Sequence, residues 1–328
     1  MPFLEDALES IVTQTYRNLE ILCINDGSSD NTREILEQFA KNDDRIKVVN
    51  NEVNLKLIGT LNKGVQLAKG DYIARMDADD LSTLNRIECQ MHYMLANPDV
   101  DLLSCNWLNM SEDGSVKTKN LLRCLNQSSI KFAAYFFTPI GHGFVLGKKA
   151  VFEKHIYNTE DYALHCEDYE LWTRMIRAGI HIENIDEVLY DIRINSGSVS
   201  RLYEDIQMDN FSKCAQIHFE ASFDKPIDRE FYNIVVNRFN KAQMSGIRKA
   251  FKLINEIHKK YVSTNELSNQ DLKELKTIVR FQKSDILFRY IGIQKSFAKL
   301  GGFVKLGFVV LGGVFNKRFM KFLKYKFQ

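Results

Sequence analysis

Tyr72-Ile-Ala-Arg-Met-Asp-Ala-Asp-Asp80 is a short apolar run that ends in three carboxylates. Side chains alternate along a strand, so Asp77 and Asp79 are expected to leave its carboxyl end on one side. One divalent cation could bridge them there, because Mg²⁺ and Mn²⁺ favour oxygen ligands and commonly share one or two carboxylates with a bound phosphate. An isolated Asp-x-Asp is equally an acidic turn leading into a helix, with Asp80 or Ser82 as its N-cap. Two other acidic spots give the triplet company: Asn25-Asp26-Gly27-Ser28 upstream and Glu167-Asp168 downstream.

Working outward, Ile21-Leu22-Cys23-Ile24 is apolar without alternation, as in a strand covered on both faces, and it stops at Asp26. Before it, Phe3, Leu4, Ala7, Leu8, Ile11 and Val12 share one helical face. After it, Asn31 and Glu34 read as a capping box for a helix carrying Ile35, Leu36 and Phe39. Ile46 to Val49 is a further strand, and a helix from about Gly59 to Lys69 closes at Gly70 and delivers the chain into the Tyr72 strand. Strands alternating with helices predict an α/β fold with a Rossmann-like, mostly parallel sheet and flanking helices. Ligands of such sheets lie beyond the carboxyl ends of the strands, which puts Asp26 and the Asp77 to Asp80 cluster on one crevice.

No glycine-rich phosphate loop of either common type is present, so a diphosphate here would rest on a metal and basic side chains, with Arg75 and Lys63 as candidates. The turn-rich Thr138-Pro-Ile-Gly-His-Gly143 could line the crevice, His142 being equally a substrate contact or a structural residue. Leu171, Met175 and Ala178 share a helical face, so Glu167 and Asp168 fall at a helix N-terminus. Carboxylates are at home beside that positive dipole end, and the other reading makes one of the pair a general base.

With 328 residues, 45% hydrophobic and 26% charged, the chain has the composition of a soluble globular protein and not of a disordered one. Its six cysteines include no Cys-x-x-Cys pair, which argues against a zinc site or a disulfide framework. The net charge of +2 hides an asymmetry: residues 241 to 328 hold 19 basic against 5 acidic side chains, and the rest hold 25 against 37. That division argues against a nucleic-acid groove and for a catalytic body, residues 1 to 220, joined to a helical basic region, residues 221 to 328, that meets an anionic membrane surface. Glu5, Asp6 and Glu9 stand where a signal peptide would need a basic and then an apolar stretch, so the expected location is cytoplasmic, peripheral at the inner face of the membrane. Phe303 to Phe315 is thirteen residues long and apolar apart from Lys305, short of the roughly 20 that span a bilayer. With Lys317, Arg318, Lys321, Lys324 and Lys326 set among aromatic residues beyond it, the tail reads as an interfacial anchor or, alternatively, as a cap packed on the protein.

Taken in order, Asn25-Asp26-Gly27-Ser28, Asn54 through Gly70, Arg75-Met76-Asp77-Ala78-Asp79-Asp80 and Glu167-Asp168 before Leu171-Trp172 closely resemble the family 2 glycosyltransferases, inverting enzymes of the nucleotide-sugar-binding GT-A fold. The resemblance covers about residues 3 to 205. It implies that Asp26 meets the nucleobase of a UDP-sugar, with Asn54 and Arg75 also on the donor, and that Asp77 lies near ribose and metal. It further implies that Asp79 ligates Mg²⁺ or Mn²⁺, that Asp168 deprotonates a hydroxyl of a glycan or lipid-linked acceptor, and that Glu167 helps place that acceptor. The implied role is surface polysaccharide synthesis; the alternative is an inactive sugar-nucleotide-binding or assembly subunit. Three departures bear on it. The family usually opens with an apolar strand before the first helix, lying between the strands that end at Asp26 and Asp77, and a late start site or a truncation is expected here. Lys56 replaces a frequent glycine, and Asn195 replaces the histidine of a Tyr-Arg-x-His loop, where an altered metal contact is expected.

Overall fold

The computed structural model describes residues 3–120, 124–194 and 202–294. Helix α1 (Leu4–Val12) forms on the predicted face, and its Leu4 and Leu8 bury against Ile35 and Leu36 of α2 (Thr32–Asn42). Each such side chain, fully buried, stabilises the fold by roughly 1.5–3 kcal/mol. β1 (Ile21–Asn25) and β2 (Ile46–Asn50) pair in parallel, Ile21 opposite Ile46 through Asn25 opposite Asn50, and form a sheet of their own.

The second sheet has the order β3 (Tyr72–Ala74), β7 (Leu146–Lys148), β5 (Leu102–Ser111), β8 (Ile182–Ile194) and β4 (Leu81–Ser82), with β6 (Lys117–Asn120) added on β5. Only β5 and β8 run parallel in it; the β3–β7, β5–β7, β4–β8 and β5–β6 pairs are antiparallel. The expected mostly parallel sheet is therefore a mixed one, because β4, β6 and β7 are short returns with no alternation long enough to read in the sequence. β1 and β3 each close one end of their sheet, and among the described residues no strand lies between them.

The larger sheet carries the main core. Leu103, Cys105, Phe144, Leu146, Leu189 and Tyr190 pack beneath Ile87, Met91 and Met94 of α4 (Arg86–Ala96). The β5–β8 register slips between Cys105 and Trp107, and Tyr190, on the far side of that slip, stands opposite Trp107. Helix α3 (Lys56–Leu67) buries Ile58 and Val65, followed later by α5 (Gln127–Ala133), α6 (Lys149–Lys154), α7 (Glu167–Arg177) and α8 (Glu204–Phe223).

Three local expectations change. Asn31 is the N-cap of α2 but accepts no capping bond; Asp30 accepts instead from the Thr32 N–H (3.1 Å) and hydroxyl (2.6 Å). α3 ends at Leu67, with Ala68 already extended, so Gly70 is not its terminating glycine; the Lys69 N–H is taken by Glu20 at 2.8 Å. β3 ends at Ala74, three residues before Asp77, so a turn and not strand alternation sets the directions of Asp77 and Asp79.

The chain divides into two compact units, residues 1–225 and 226–328. The described part of the second is helical: α9 (Arg229–Val235), α10 (Met244–Thr264) and α11 (Asn269–Gln294). Ile247, Ile254 and Ile257 of α10 are buried, as are Leu275, Ile278 and Ile286 of α11, so each helix buries an apolar face. No described helix is long and apolar enough to cross a membrane. The Phe303 to Phe315 segment, the basic tail and Asn195 lie outside the described residues.

Candidate active site

Asp26 follows β1 at a turn where Gly27 adopts φ +79°, and Asn51 follows β2 at the same level. Parallel pairing thus brings their side chains together: the Asn51 amide donates to Asp26 Oδ1 at 2.7 Å, as does the Leu55 N–H at 2.8 Å. Burial pushes the Asp26 carboxyl up, but these donors, with Thr60 and the Lys56 N–H, hold it below the usual range. Lys63 reaches Asn51 Oδ1 (2.7 Å), and the exposed Asn54 accepts the Lys56 N–H (3.0 Å), closing a turn in which Lys56 sits at φ +61°. That is the left-handed region in which glycine is at ease, which explains why a glycine suits this position.

The second cluster is the turn after β3. Arg75 donates to both oxygens of Asp77, at 2.5 and 2.7 Å, while its Nε is buried without a partner. The Asp77 N–H donates to the Tyr190 hydroxyl (3.1 Å), and Gly143 lies so close that a Cβ there would stand 2.9 Å from Asp77 Oδ2. Burial, then the charges of Asp77 and Asp79, push the Asp80 carboxyl up to about 7, and it accepts the Arg193 N–H at 2.8 Å. The Arg193 side chain donates to the carbonyls of Asp79 (2.9 Å) and Glu112 (2.7 Å), so β8 holds the acidic turn through both Tyr190 and Arg193. Arg86, fully buried, braces it from α4 by donating to the Arg75 carbonyl at 2.7 Å.

Glu167 and Asp168 open α7, as the periodicity predicts. Glu167 is buried and pushed up to about 7, by that burial and by Asp168 beside it. Asp168 keeps partial exposure, accepts the Tyr169 N–H at 2.7 Å, and is raised by burial against the opposing pull of that bond and of Arg75. His142 faces the Tyr157 hydroxyl at 2.9 Å and stays neutral, since burial and the Arg75 charge hold it well below the usual range. Asn62 of α3 fixes Tyr157 by two bonds to its backbone, 2.8 and 3.0 Å.

Arg75 is therefore the common neighbour: Asp77, Glu167, Asp168, His142 and Tyr157 all feel its charge. Asp77, Glu167 and Asp168 are brought together around it. Asp26, with Asn51, Thr60 and Lys63, forms a separate polar group at the end of the smaller sheet. Lys63 is thereby tied to Asn51. Sequence reasoning missed Asn51, Tyr157, Tyr190, Arg86 and Arg193; only Arg193, two residues before Asn195 in the loop that resembles Tyr-Arg-x-His, gave any signal.

A divalent cation fits the second cluster. Asp77, Asp79 and Asp80 share one turn in which Arg75 pairs with Asp77, and the Asp80 carboxyl is pushed up first by burial and then by the charges of Asp77 and Asp79. The donors are all oxygen, which suits Mg²⁺ or Mn²⁺. Among the described residues no group of three His, Cys, Asp or Glu makes a complete ligand set, so phosphate oxygens would have to finish the coordination.

The fold is that of the GT-A glycosyltransferases. The glycosyl transferase family 2 model matches residues 2–159. An uncharacterized glycosyltransferase of Haemophilus influenzae is 30% identical over 276 residues, 80% of this chain and 83% of that protein. Two solved structures share the fold: TarS residues 1–349 of S. aureus in complex with UDP-GlcNAc, with TM-score 0.55, 13% identity and 91% and 88% of the two chains covered, and the mannosyltransferase PcManGT of Pyrobaculum calidifontis with GDP-Man and Mn²⁺, with TM-score 0.53, 15% identity and 90% and 84% covered. The chain belongs to glycosyl transferase family 2.

Proposed function

We propose that the protein is an inverting, metal-dependent transferase that moves a sugar from a UDP-sugar to a hydroxyl of a glycan or lipid-linked acceptor in surface polysaccharide synthesis. The observation that carries this reading is the half-buried Asp168 in the field of Arg75, whose guanidinium also clamps Asp77. One carboxylate is then available to an acceptor, and the guanidinium is the positive charge that a donor diphosphate would need nearby.

In this reading Asp26, steadied by Asn51, accepts a hydrogen bond from the nucleobase, and the Asn54 turn shapes that side of the donor site. Asp79 and Asp77 hold Mg²⁺ or Mn²⁺, which when bound offsets the charge that develops on the leaving diphosphate. Arg75, through its unpartnered Nε–H, supplies a second positive group beside it. Asp168 takes the acceptor proton as the hydroxyl oxygen bonds to the anomeric carbon and the bond to the diphosphate breaks; Glu167 orients the acceptor. One displacement inverts the anomeric centre. His142, neutral and paired with Tyr157, lines the site without taking the proton. The charge asymmetry of the chain supports peripheral attachment at the inner membrane face.

The test is calorimetric titration with UDP, GDP and Mn²⁺, together with a coupled assay of nucleotide release. Asp168→Asn is expected to bind UDP normally and to lose transfer, and Asp79→Ala to lose the metal-dependent part of binding. Normal transfer by both variants, or a preference for GDP, would contradict the reading.

A further inference from the structure

Helix α10 is divided lengthwise by charge. Its inner face buries Ile247, Ala250, Phe251, Ile254 and Ile257. Its outer face exposes Arg248, Lys249, Lys252, Lys259 and Lys260, and the one acidic side chain among them is Glu256, 3.9 Å from Lys252. Helix α11 adds Lys273, Lys276 and Arg280, all exposed; of its acids, Asp271 is buried and occupied with the Ser268 hydroxyl and N–H at 2.8 Å each, and the half-buried Glu274 and Asp285 accept from Gln270 (2.9 Å) and Asn237 (2.7 Å). Amphipathic helices in soluble bundles usually mix both signs on the outer face, since a one-signed face repels itself. A face this one-sided is a cost to the isolated unit that an anionic partner would remove.

We propose that the outer face of α10, with the neighbouring cations of α11, is a docking surface for the anionic headgroups of a lipid bilayer. This rests on the membrane-peripheral reading above and assigns the residues that carry it. Two features favour a bilayer over a nucleic acid. Among the described residues no large apolar or aromatic side chain of α10 or α11 is exposed, so that face shows no platform on which bases could stack. The five cations of α10 also span thirteen residues of one helix, Arg248 to Lys260, about 18 Å at the rise of an α-helix, a row suited to a plane of charge. The contact is electrostatic and needs no insertion, which agrees with the buried state of the apolar residues of α10.

The experiment is co-sedimentation of the full 328-residue chain with vesicles of phosphatidylcholine alone and of phosphatidylcholine mixed with phosphatidylglycerol. Binding is expected only to the mixed vesicles, and high salt should release it. The triple variant Lys249→Gln, Lys252→Gln, Lys259→Gln is expected to bind about a hundredfold more weakly, near fivefold for each charge removed. A control with the exposed Lys41, Lys69 and Lys154 changed to Gln removes the same charge elsewhere and should bind as the parent does. Equal losses in the two triple variants would overturn the proposal, since net charge alone would then account for binding. If instead the α10 variant binds fully and replacement of Lys317, Arg318 and Lys321 by Gln abolishes binding, the docking face is wrong while the membrane reading stands. Failure of the parent to bind anionic vesicles, with retention of a labelled RNA oligonucleotide or with no binding to either, overturns both.

Discussion

Replacing Glu167 by Gln isolates the electrostatic cost of the acid pair at the start of α7. Glu167 is 8% exposed, and burial together with the adjacent Asp168 moves its carboxyl from 4.5 to about 7. Below pH 4.5 the group is protonated in both folded and unfolded chains and contributes nothing. As pH rises from 4.5 to about 7 the unfolded chain gives up its proton while the native chain keeps it, so stability falls; above about 7 the whole cost is in place. The gap corresponds to up to about 3 kcal/mol. Gln keeps the shape and cannot ionise. The variant should match the parent near pH 4 and exceed it near pH 8 by up to that amount, which is about 6–12 °C in Tm for a domain of this size. Urea unfolding followed by fluorescence, with the buried Trp172 on the same helix as one reporter, reads the difference. A variant that gains nothing at alkaline pH, or gains the same at every pH, would show that the pair is not an electrostatic liability.

Other outcomes follow from the same geometry. Gly143→Ala should push the Asp77 carboxylate aside, because the new Cβ would stand 2.9 Å from Oδ2 and 3.1 Å from the Tyr190 hydroxyl; a normal circular dichroism spectrum with loss of Mn²⁺-dependent UDP binding is expected. Lys56→Gly should relieve the φ of +61° and stabilise the fold by roughly 0.5–1 kcal/mol after the extra chain entropy of glycine is counted; differential scanning calorimetry checks the sign. Tyr190→Phe removes the hydroxyl that receives the Asp77 N–H and should cost about 1–2 kcal/mol while weakening the response to metal. Transfer should rise with pH on its acid limb through a value above the ordinary aspartate range, since burial raises Asp168, and the base works only when ionised; a rate that falls over that limb would assign the proton to another group.

Legibility in the sequence followed the range of each interaction. α1 and α7 could be placed because each has an apolar pattern repeating over its turns, and β1 and β2 because each is a short apolar run; both signals are local. β4, with two residues, and β7, with three, were invisible because they exist only as partners of β8 and of β3 and β5. Asp26, Asp77, Asp79 and Asp168 stood out as acids at element ends. Their partners did not: Tyr190 and Arg193 are 113 and 114 residues from the backbone groups they meet in the acidic turn.

The chain order of its acidic motifs was enough to give the family and the class of chemistry, because each motif is a contiguous stretch and their succession along the chain is specific where any one of them alone is not. What needed the tertiary structure was the charge economy of the site. Arg75 is two residues from Asp77 in the chain, yet its place between Asp77 and the acids of α7 comes from the packing of β3, the Gly143 turn and α7 around one buried guanidinium. Coulomb energy depends on distance and on exclusion of water, and neither is written in the order of residues.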